Sequence, residues 1–443
     1  MKLPVLILFL GVPLIWGQET PRTEITKWQD GKAAAVSITF DDSTINHFRI
    51  AIPLLNERGF PGTFFVVTNS IQGSKNKPGF AGRPVMDIIR ESEKVPTNKD
   101  NLFERLSLLN YLRTVQHVDE LNGFDATRLG RRLDEKDYAG LSKIADENLA
   151  NLRRSGKTYE VKPPTGPVGD KRYPVTWDEL RRYAAQGHEM ANHTASHPFM
   201  PAQDEANISA ELLAAKEDFL EQLGPKETFS VEAPYGIDDE RIRPAVSKNF
   251  QITRNWVQDP FMDGIMRGDP KDPAESKKEY LQWQRGPLSR TTLETMKGWV
   301  DQSILHGVWL VLVFHGIEGI GWEQLPTETI RAYWDYIYDH KGQLWVATYR
   351  DGAKYARERM SSKVTPERDG EAIRVTVKHS LDPKIYDLPL TAKTVIPSDW
   401  RIVRFQQGND LRWLPVYREG GRTFVQYRLA ADGTPARLEK GLN

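Results

Sequence analysis

Three short segments, far apart in the chain, carry side chains that together can do hydrolytic chemistry. Thr39-Phe40-Asp41-Asp42 sets two carboxylates at the end of a mostly apolar run over residues 33–40, the pattern of a buried parallel strand that delivers polar groups at its C-terminal end. Neighbouring side chains leave a strand end in different directions, so one aspartate can hold a metal while the other handles a proton. His193-Thr194-Ala195-Ser196-His197 puts two imidazoles four residues apart, on one side of a helical turn. With a carboxylate they form a two-histidine, one-carboxylate site that keeps positions open for water and substrate. Taken alone, the spacing is equally that of an ordinary surface pair. Leu312-Val313-Phe314-His315-Gly316 is a hydrophobic strand ending in histidine, which alone reads as a hydrogen-bonded strand-end residue as readily as a general acid. Geometry unites the three, because in an α/β barrel every strand C-terminus opens on the same face.

The elements that must position these groups alternate strand and helix. Residues 33–40 form a strand, Ile50, Ile52, Leu54 and Leu55 give 48–58 a helical face that Gly59 stops, and residues 62–67 form a second strand. This is a βαβ unit and implies a parallel sheet. Residues 70–172 break the rhythm: they are charge-dense, helical in spacing through 102–121 and 138–153, and end in the linker Pro163-Pro164-Thr165-Gly166-Pro167. They read as a helical insertion. Thr176 and Glu179 make a capping box for a helix over 177–186, and strand candidates follow at 188–192, 229–233, 250–255, 307–314 and 344–348, with helices between them such as 328–339. The expected fold is α/β, a distorted (β/α) barrel of about seven strands over residues 18–360. Beyond it, short β runs at 373–378, 391–396, 401–406, 411–417 and 422–429 predict a small all-β domain over 365–443.

Composition removes several function classes. Lys plus Arg and Asp plus Glu are each 60, so no basic face is offered to nucleic acid or to an anionic membrane. With no cysteine, disulfides, thiolate metal sites and a cysteine nucleophile are excluded, and any metal must sit on histidine and carboxylate. A hydrophobic fraction of 39% is too apolar for disorder and too polar for a multi-span membrane protein. Met1-Lys2, an apolar run to Trp16 and Gly17 have the layout of a secretory signal over 1–17, too short and too proline-interrupted for a stable membrane span. The expected location is secreted or periplasmic. No protein partner is legible.

The three segments resemble, in order and wording, the motifs of the polysaccharide deacetylase family, the NodB homology domain of carbohydrate esterase family four. The resemblance covers about residues 30–360, interrupted by the insertion, and Gly62-Thr63-Phe64-Phe65-Val66 is similar to the family's second strand. It implies that Asp42, His193 and His197 hold one divalent metal ion, usually zinc, that Asp41 is the general base and that His315 is the general acid. Glu232-Ala233-Pro234-Tyr235-Gly236 is similar to the RxPY segment, which implies that the Tyr235 N–H helps hold the oxyanion and that Pro234 belongs to the substrate site. Trp256 matches the tryptophan motif and Leu312 the last motif, both implied to line the pocket; each reads equally as plain core. The implied partner is an acetylated glycan, N- or O-linked, and the implied reaction is metal-assisted removal of its acetyl group.

Two departures bear on the partners of the base and the acid. The motif's arginine is replaced by Glu232, and Ile252-Thr253-Arg254-Asn255-Trp256 lacks the usual aspartate ahead of the tryptophan. Losing a cation and gaining a carboxylate beside Asp41 should raise its pKa, and Arg254 is expected to compensate by pairing with Glu232. Two other readings therefore stand beside the deacetylase: a catalytically altered or silent glycan-binding protein, and a hydrolase of a non-sugar C–N amide. The C-terminal domain reads as a structural appendage, or as a carbohydrate binder using Trp400, Trp413, Tyr386 or Tyr417.

Overall fold

The computed structural model describes residues 21–121, 124–160, 175–236, 240–255, 263–279 and 281–441. The expected signal segment, the 163–167 linker and Trp256 lie outside the described residues. The chain divides into two units, one formed by 27–360 with 382–388 and the other by the segment up to Thr26 with 361–381 and 389–443.

At the centre of the first unit, the apolar runs Ala34–Phe40 and Trp309–Phe314 pair in parallel and are buried throughout, as a strand covered on both faces must be. Outward from Ala34–Phe40 come Thr63–Val66, Glu189–Asn192, Ser230–Val231 and Ile252–Thr253. Outward from Trp309–Phe314 come Leu281–Arg285 and Asp263–Ile265, while Leu344–Val346 flanks the first residues of Ala34–Phe40. Among the described residues the sheet has nine strands, against the expectation of about seven. Leu281–Arg285 escapes sequence reading because its alternate residues, Gln282 and Gln284, are polar yet buried, both donating side-chain amides to the Arg254 carbonyl. A flat sheet would hold the ends of Ala34–Phe40 and Ile252–Thr253, four places apart, roughly 19 Å from each other. Arg254 nevertheless bonds Asp41, so the sheet curls.

Register decides what stands on the rim. Phe40 pairs with Phe314, Val66 with Asn192, Asn192 with Val231, and Val231 with Thr253. The next residue along these strands is Asp41, His315, His193, Glu232 or Arg254. Four backbone bonds hold them level: Asp41 N–H to the Phe314 carbonyl (3.0 Å), His193 to Val66 (3.0 Å), Glu232 to Asn192 (2.9 Å) and Arg254 to Val231 (3.3 Å). Below the rim, Ile38, Phe40, Leu310, Leu312 and Phe314 pack on one side of the sheet with helix residues Ile52 and Trp334. By the two-residue alternation of a strand, Thr39 and Val313 face the other way, toward the interior.

The insertion is helical, with Val85–Glu91, Leu102–Thr114, Ala126–Asp134 and Tyr138–Arg154 around a core that includes Leu106, Leu109, Ile144 and Leu149. Phe199 and Ala202, from the loop after His197, complete that core and tie the insertion to the His193–His197 segment. The predicted capping box is present in full, with the Thr176 hydroxyl taking the Glu179 N–H and the Glu179 carboxylate taking the Thr176 N–H.

The second unit is an eight-stranded antiparallel sheet in the order Thr23–Ile25, Leu390–Val395, Arg422–Leu429, Asp410–Glu419, Ile402–Gln407, Ala436–Lys440, Ala372–Lys378, Lys363–Asp369. Thr23–Ile25, placed by its sequence position in the barrel domain, is an edge strand here. Of the four aromatics raised as sugar platforms, Trp413 and Tyr417 are exposed; Trp400 is buried, and Tyr386 is buried within the first unit.

Candidate active site

The rim residues enclose a cavity of 570 Å³ whose lining includes Asp41, Asp42, His193, His197, Arg254 and His315. Thr127, at the start of an insertion helix, also borders it, so the insertion does reach the site.

Arg254 meets Asp41 with two parallel bonds, Nη1 to Oδ1 at 2.8 Å and Nη2 to Oδ2 at 2.6 Å, and Nη1 also donates to the Thr39 hydroxyl at 2.9 Å. The expected Arg254–Glu232 pair is present but looser, with Glu232 Oε2 3.8 Å from Arg254 Nε, while the other Glu232 oxygen takes the Asn255 side-chain amide. The expected rise in the Asp41 pKa is corrected by the tighter pair that Arg254 makes with Asp41. Burial opposes ionisation of Asp41, but the guanidinium outweighs burial and holds the carboxyl well below the usual carboxylate range. Glu232, without a bidentate partner, is pushed up by burial to about 7.

Asp42, His193 and His197, the set that the resemblance implied, come together. The Asp42 Oδ1 is 3.5 Å from His193 Nε2 and 3.0 Å from His197 Nε2, and one ligand atom from each residue lies within 4.8 Å of the others. The buried His193 ring has its Nδ1 2.8 Å from the Glu232 carbonyl, which makes Nδ1 the donor and leaves Nε2 bare for a metal. So Glu232 serves the site through its backbone. One carboxylate oxygen and two imidazole nitrogens fit zinc or a similar divalent ion.

Glu211, invisible as a site residue in the sequence, braces this loop. Its buried carboxylate accepts the Ala195 N–H (3.1 Å), the Ser196 N–H (2.8 Å) and the Ser196 hydroxyl (2.6 Å). Backbone strain concentrates here too, since Asp42, Ser43, Thr194, His197 and Tyr235 all have positive φ. Tyr235 (φ 68°) packs its ring 5.2 Å from that of His197, and no acceptor takes its N–H among the described residues.

His315 Nε2 stands 3.5 Å from Asp41 Oδ2. Burial pulls its pKa down to about 4, only partly offset by Asp41. Two residues the sequence did not single out surround it: Trp322, edge-on at 4.8 Å between ring centroids, and Arg267, whose Nη1 is 3.3 Å from Nε2. The only sequence signal for Trp322 is its place in the glycine-rich loop after the His315 strand. Leu312 and Pro234 do not line the cavity. Strand alternation turns Leu312 into the helix-facing core and gives the lining position to Val313, and Pro234 is buried between Ala233 and Tyr235, which do border the cavity.

A model of the polysaccharide deacetylase family matches residues 29–94 and 151–252. The unmatched stretch between holds the insertion helices Leu102–Thr114 and Ala126–Asp134 and most of Tyr138–Arg154. The chain is similar to a chitooligosaccharide deacetylase of Sinorhizobium fredii, 30% identical over 81 residues, covering 18% of this chain and 38% of that protein. It is similar also to a gellan lyase of Bacillus sp, 24% identical over 263 residues, 55% of this chain and 10% of that protein. The chain thus spans a minor part of the curated relatives it matches. Among solved structures, a putative polysaccharide deacetylase from Mycobacterium smegmatis aligns with a TM-score of 0.35 at 14% identity, over 78% of this chain and 97% of that one.

Proposed function

The chain belongs to the polysaccharide deacetylase family, and we propose that it is a metal-dependent hydrolase that removes acetyl groups from a carbohydrate. The observation that carries this reading is the meeting, on one sheet rim, of the Asp42-His193-His197 ligand set with a clamped carboxylate at Asp41 and a strand-end imidazole at His315.

A divalent ion held by Asp42, His193 and His197 would supply Lewis acidity toward the acetyl carbonyl and acidify a water. Asp41, kept ionised and oriented by Arg254, accepts a proton from the attacking water. The free N–H of Tyr235 donates to the tetrahedral oxygen, a contribution of about 3 kcal/mol in comparable oxyanion holes. His315 donates to the leaving nitrogen or oxygen as the bond to the acetyl carbon breaks, releasing acetate. At neutral pH its ring is uncharged, so each turnover must supply it a proton, and Asp41 Oδ2 at 3.5 Å is placed to pass on the one taken from water. The apolar segment at 3–16 supports action outside the cytoplasm.

The test is metal content together with acetate release from acetylated chitooligosaccharides, peptidoglycan and acetylated xylan, alongside Asp41→Asn and His193→Ala. A single bound ion with acetate release lost in both variants is expected. Bound metal with no acetate from any glycan would overturn the reading and favour a silent binder or an amidase for other substrates.

A further inference from the structure

Among the cavity-lining side chains, Arg267 stands out by what it lacks. Three buried guanidiniums in this unit each have oxygen partners: Arg254 on Asp41, Arg350 on Glu227, and Arg285 on the carbonyls of Met266, Gln284 and Lys271. Arg267 has no carboxylate within 4.0 Å among the described residues; its Nη1 meets only the His315 ring, 3.3 Å and 3.5 Å from the two nitrogens. The two carboxylates on the cavity wall are already engaged, Asp41 with Arg254 and Asp42 with the histidine pair. Arg267 is therefore a surplus positive charge in a partly desolvated cleft, a state that favours an incoming anion.

Its position is built. A Cβ at position 286 would fall 2.2 Å from the Arg267 Cδ, so the absence of a side chain at Gly286 makes room for the arginine stem. The guanidinium carbon lies 5.4 Å from the Trp322 ring, and that indole is 52% exposed at the cavity mouth. An exposed ring beside a planar fork of donors is the pair that a carboxylated sugar needs: apolar ring faces stack on the indole, and the carboxylate takes two parallel N–H bonds.

We propose that the cavity selects an acidic glycan, with a carboxylate-bearing sugar stacked on Trp322 and held by Arg267 beside the acetylated residue at the Asp42-His193-His197 site. The choice of substrate rests on the deacetylase reading; the carboxylate subsite does not need turnover to be seen.

Binding is measured by calorimetry on the full chain treated with chelator, using an oligosaccharide that alternates N-acetylhexosamine with uronic acid, and the same oligosaccharide after carboxyl reduction. The acidic ligand should bind about tenfold or more tightly than its reduced form, and increasingly so at low salt. Arg267→Gln should erase that difference while leaving the reduced ligand unchanged, Arg267→Lys should restore part of it, and Trp322→Ala should weaken both ligands alike. Equal binding of the two ligands, or an Arg267→Gln loss of the same size on both, overturns the proposal and leaves Arg267 as a neighbour of His315 only. With metal restored, acetate release shows separately whether the deacetylase reading holds: carboxylate selectivity without acetate would overturn that reading and keep the subsite, and acetate without selectivity would do the reverse.

Discussion

Arg254 holds Asp41 by both carboxylate oxygens, although the two residues follow strands four places apart in the sheet and lie 213 positions apart in the chain. The pair gives Asp41, from a different strand end, the cation that the motif resemblance would have placed at position 232. It also keeps Asp41 ionised beside an extra buried carboxylate, since Glu232 is turned toward Asn255 and held at 3.8 Å from the same guanidinium.

Arg254→Ala should therefore be severe in two ways. It leaves Asp41 and Glu232 buried without a cation, which destabilises the fold by about 3–5 kcal/mol, and it abolishes acetate release. A double-mutant cycle by urea unfolding should give stronger coupling for Arg254 with Asp41 than with Glu232; the reverse order would mean that the ion pair is distributed differently.

Glu211→Gln tests the brace under the histidine loop. Glutamine offers one acceptor oxygen where the carboxylate uses two against three donors, so the loop loosens without losing a ligand. Zinc affinity, read by competition with a chelating dye, should fall about 10–100-fold, the range usual for outer partners of metal ligands. Unchanged affinity would show that the strained backbone holds the ligands unaided.

Acid should destabilise the protein through His188. This buried ring accepts the Gly62 N–H at Nδ1 (3.0 Å) and faces the Asn56 side-chain oxygen with Nε2 (3.1 Å), so it is built to be neutral. Burial lowers its pKa from 6.5 to about 4. The unfolded chain takes up this proton first. Stability is thus complete above pH 6.5 and is lost as the pH falls toward 4, by up to about 3 kcal/mol from this group. In His188→Gln the pH dependence of unfolding between those limits should shrink by that amount; an unaltered profile would assign it to other groups.

Leu312 and Val313 separate packing from binding. Leu312→Ala, in the helix-facing core, should cost about 2–5 kcal/mol of stability with KM unchanged. Val313→Phe, on the cavity wall, should raise KM, because the added ring intrudes on the substrate space. A KM change in Leu312→Ala at intact stability would return that residue to the pocket.

Much of the chemistry is legible in the amino-acid order. Asp41, Asp42 and His315 follow mostly apolar strands, and local pattern encodes such ends well because burial on both faces favours hydrophobic runs; His193 and His197 follow the short, half-polar strand Glu189–Asn192 and are marked by their own spacing. The Thr176 capping box is equally local. The strand Leu281–Arg285 is not, since interior glutamines that bond the Arg254 carbonyl look from sequence like surface.

What the sequence by itself determined is the inventory: two adjacent aspartates, a histidine pair four residues apart and a strand-end histidine, all at the ends of parallel strands. Only the tertiary structure decided the partnerships: Arg254 bidentate on Asp41 as well as beside Glu232, Val313 rather than Leu312 on the cavity wall, and Arg267 and Trp322 beside His315. The reason is physical. Motif spacing reports which residues leave a strand end together, but the residue met across the cavity depends on register summed over several strands and on how far the sheet curls, and a strand buried on both faces carries no sign of which alternate face looks inward.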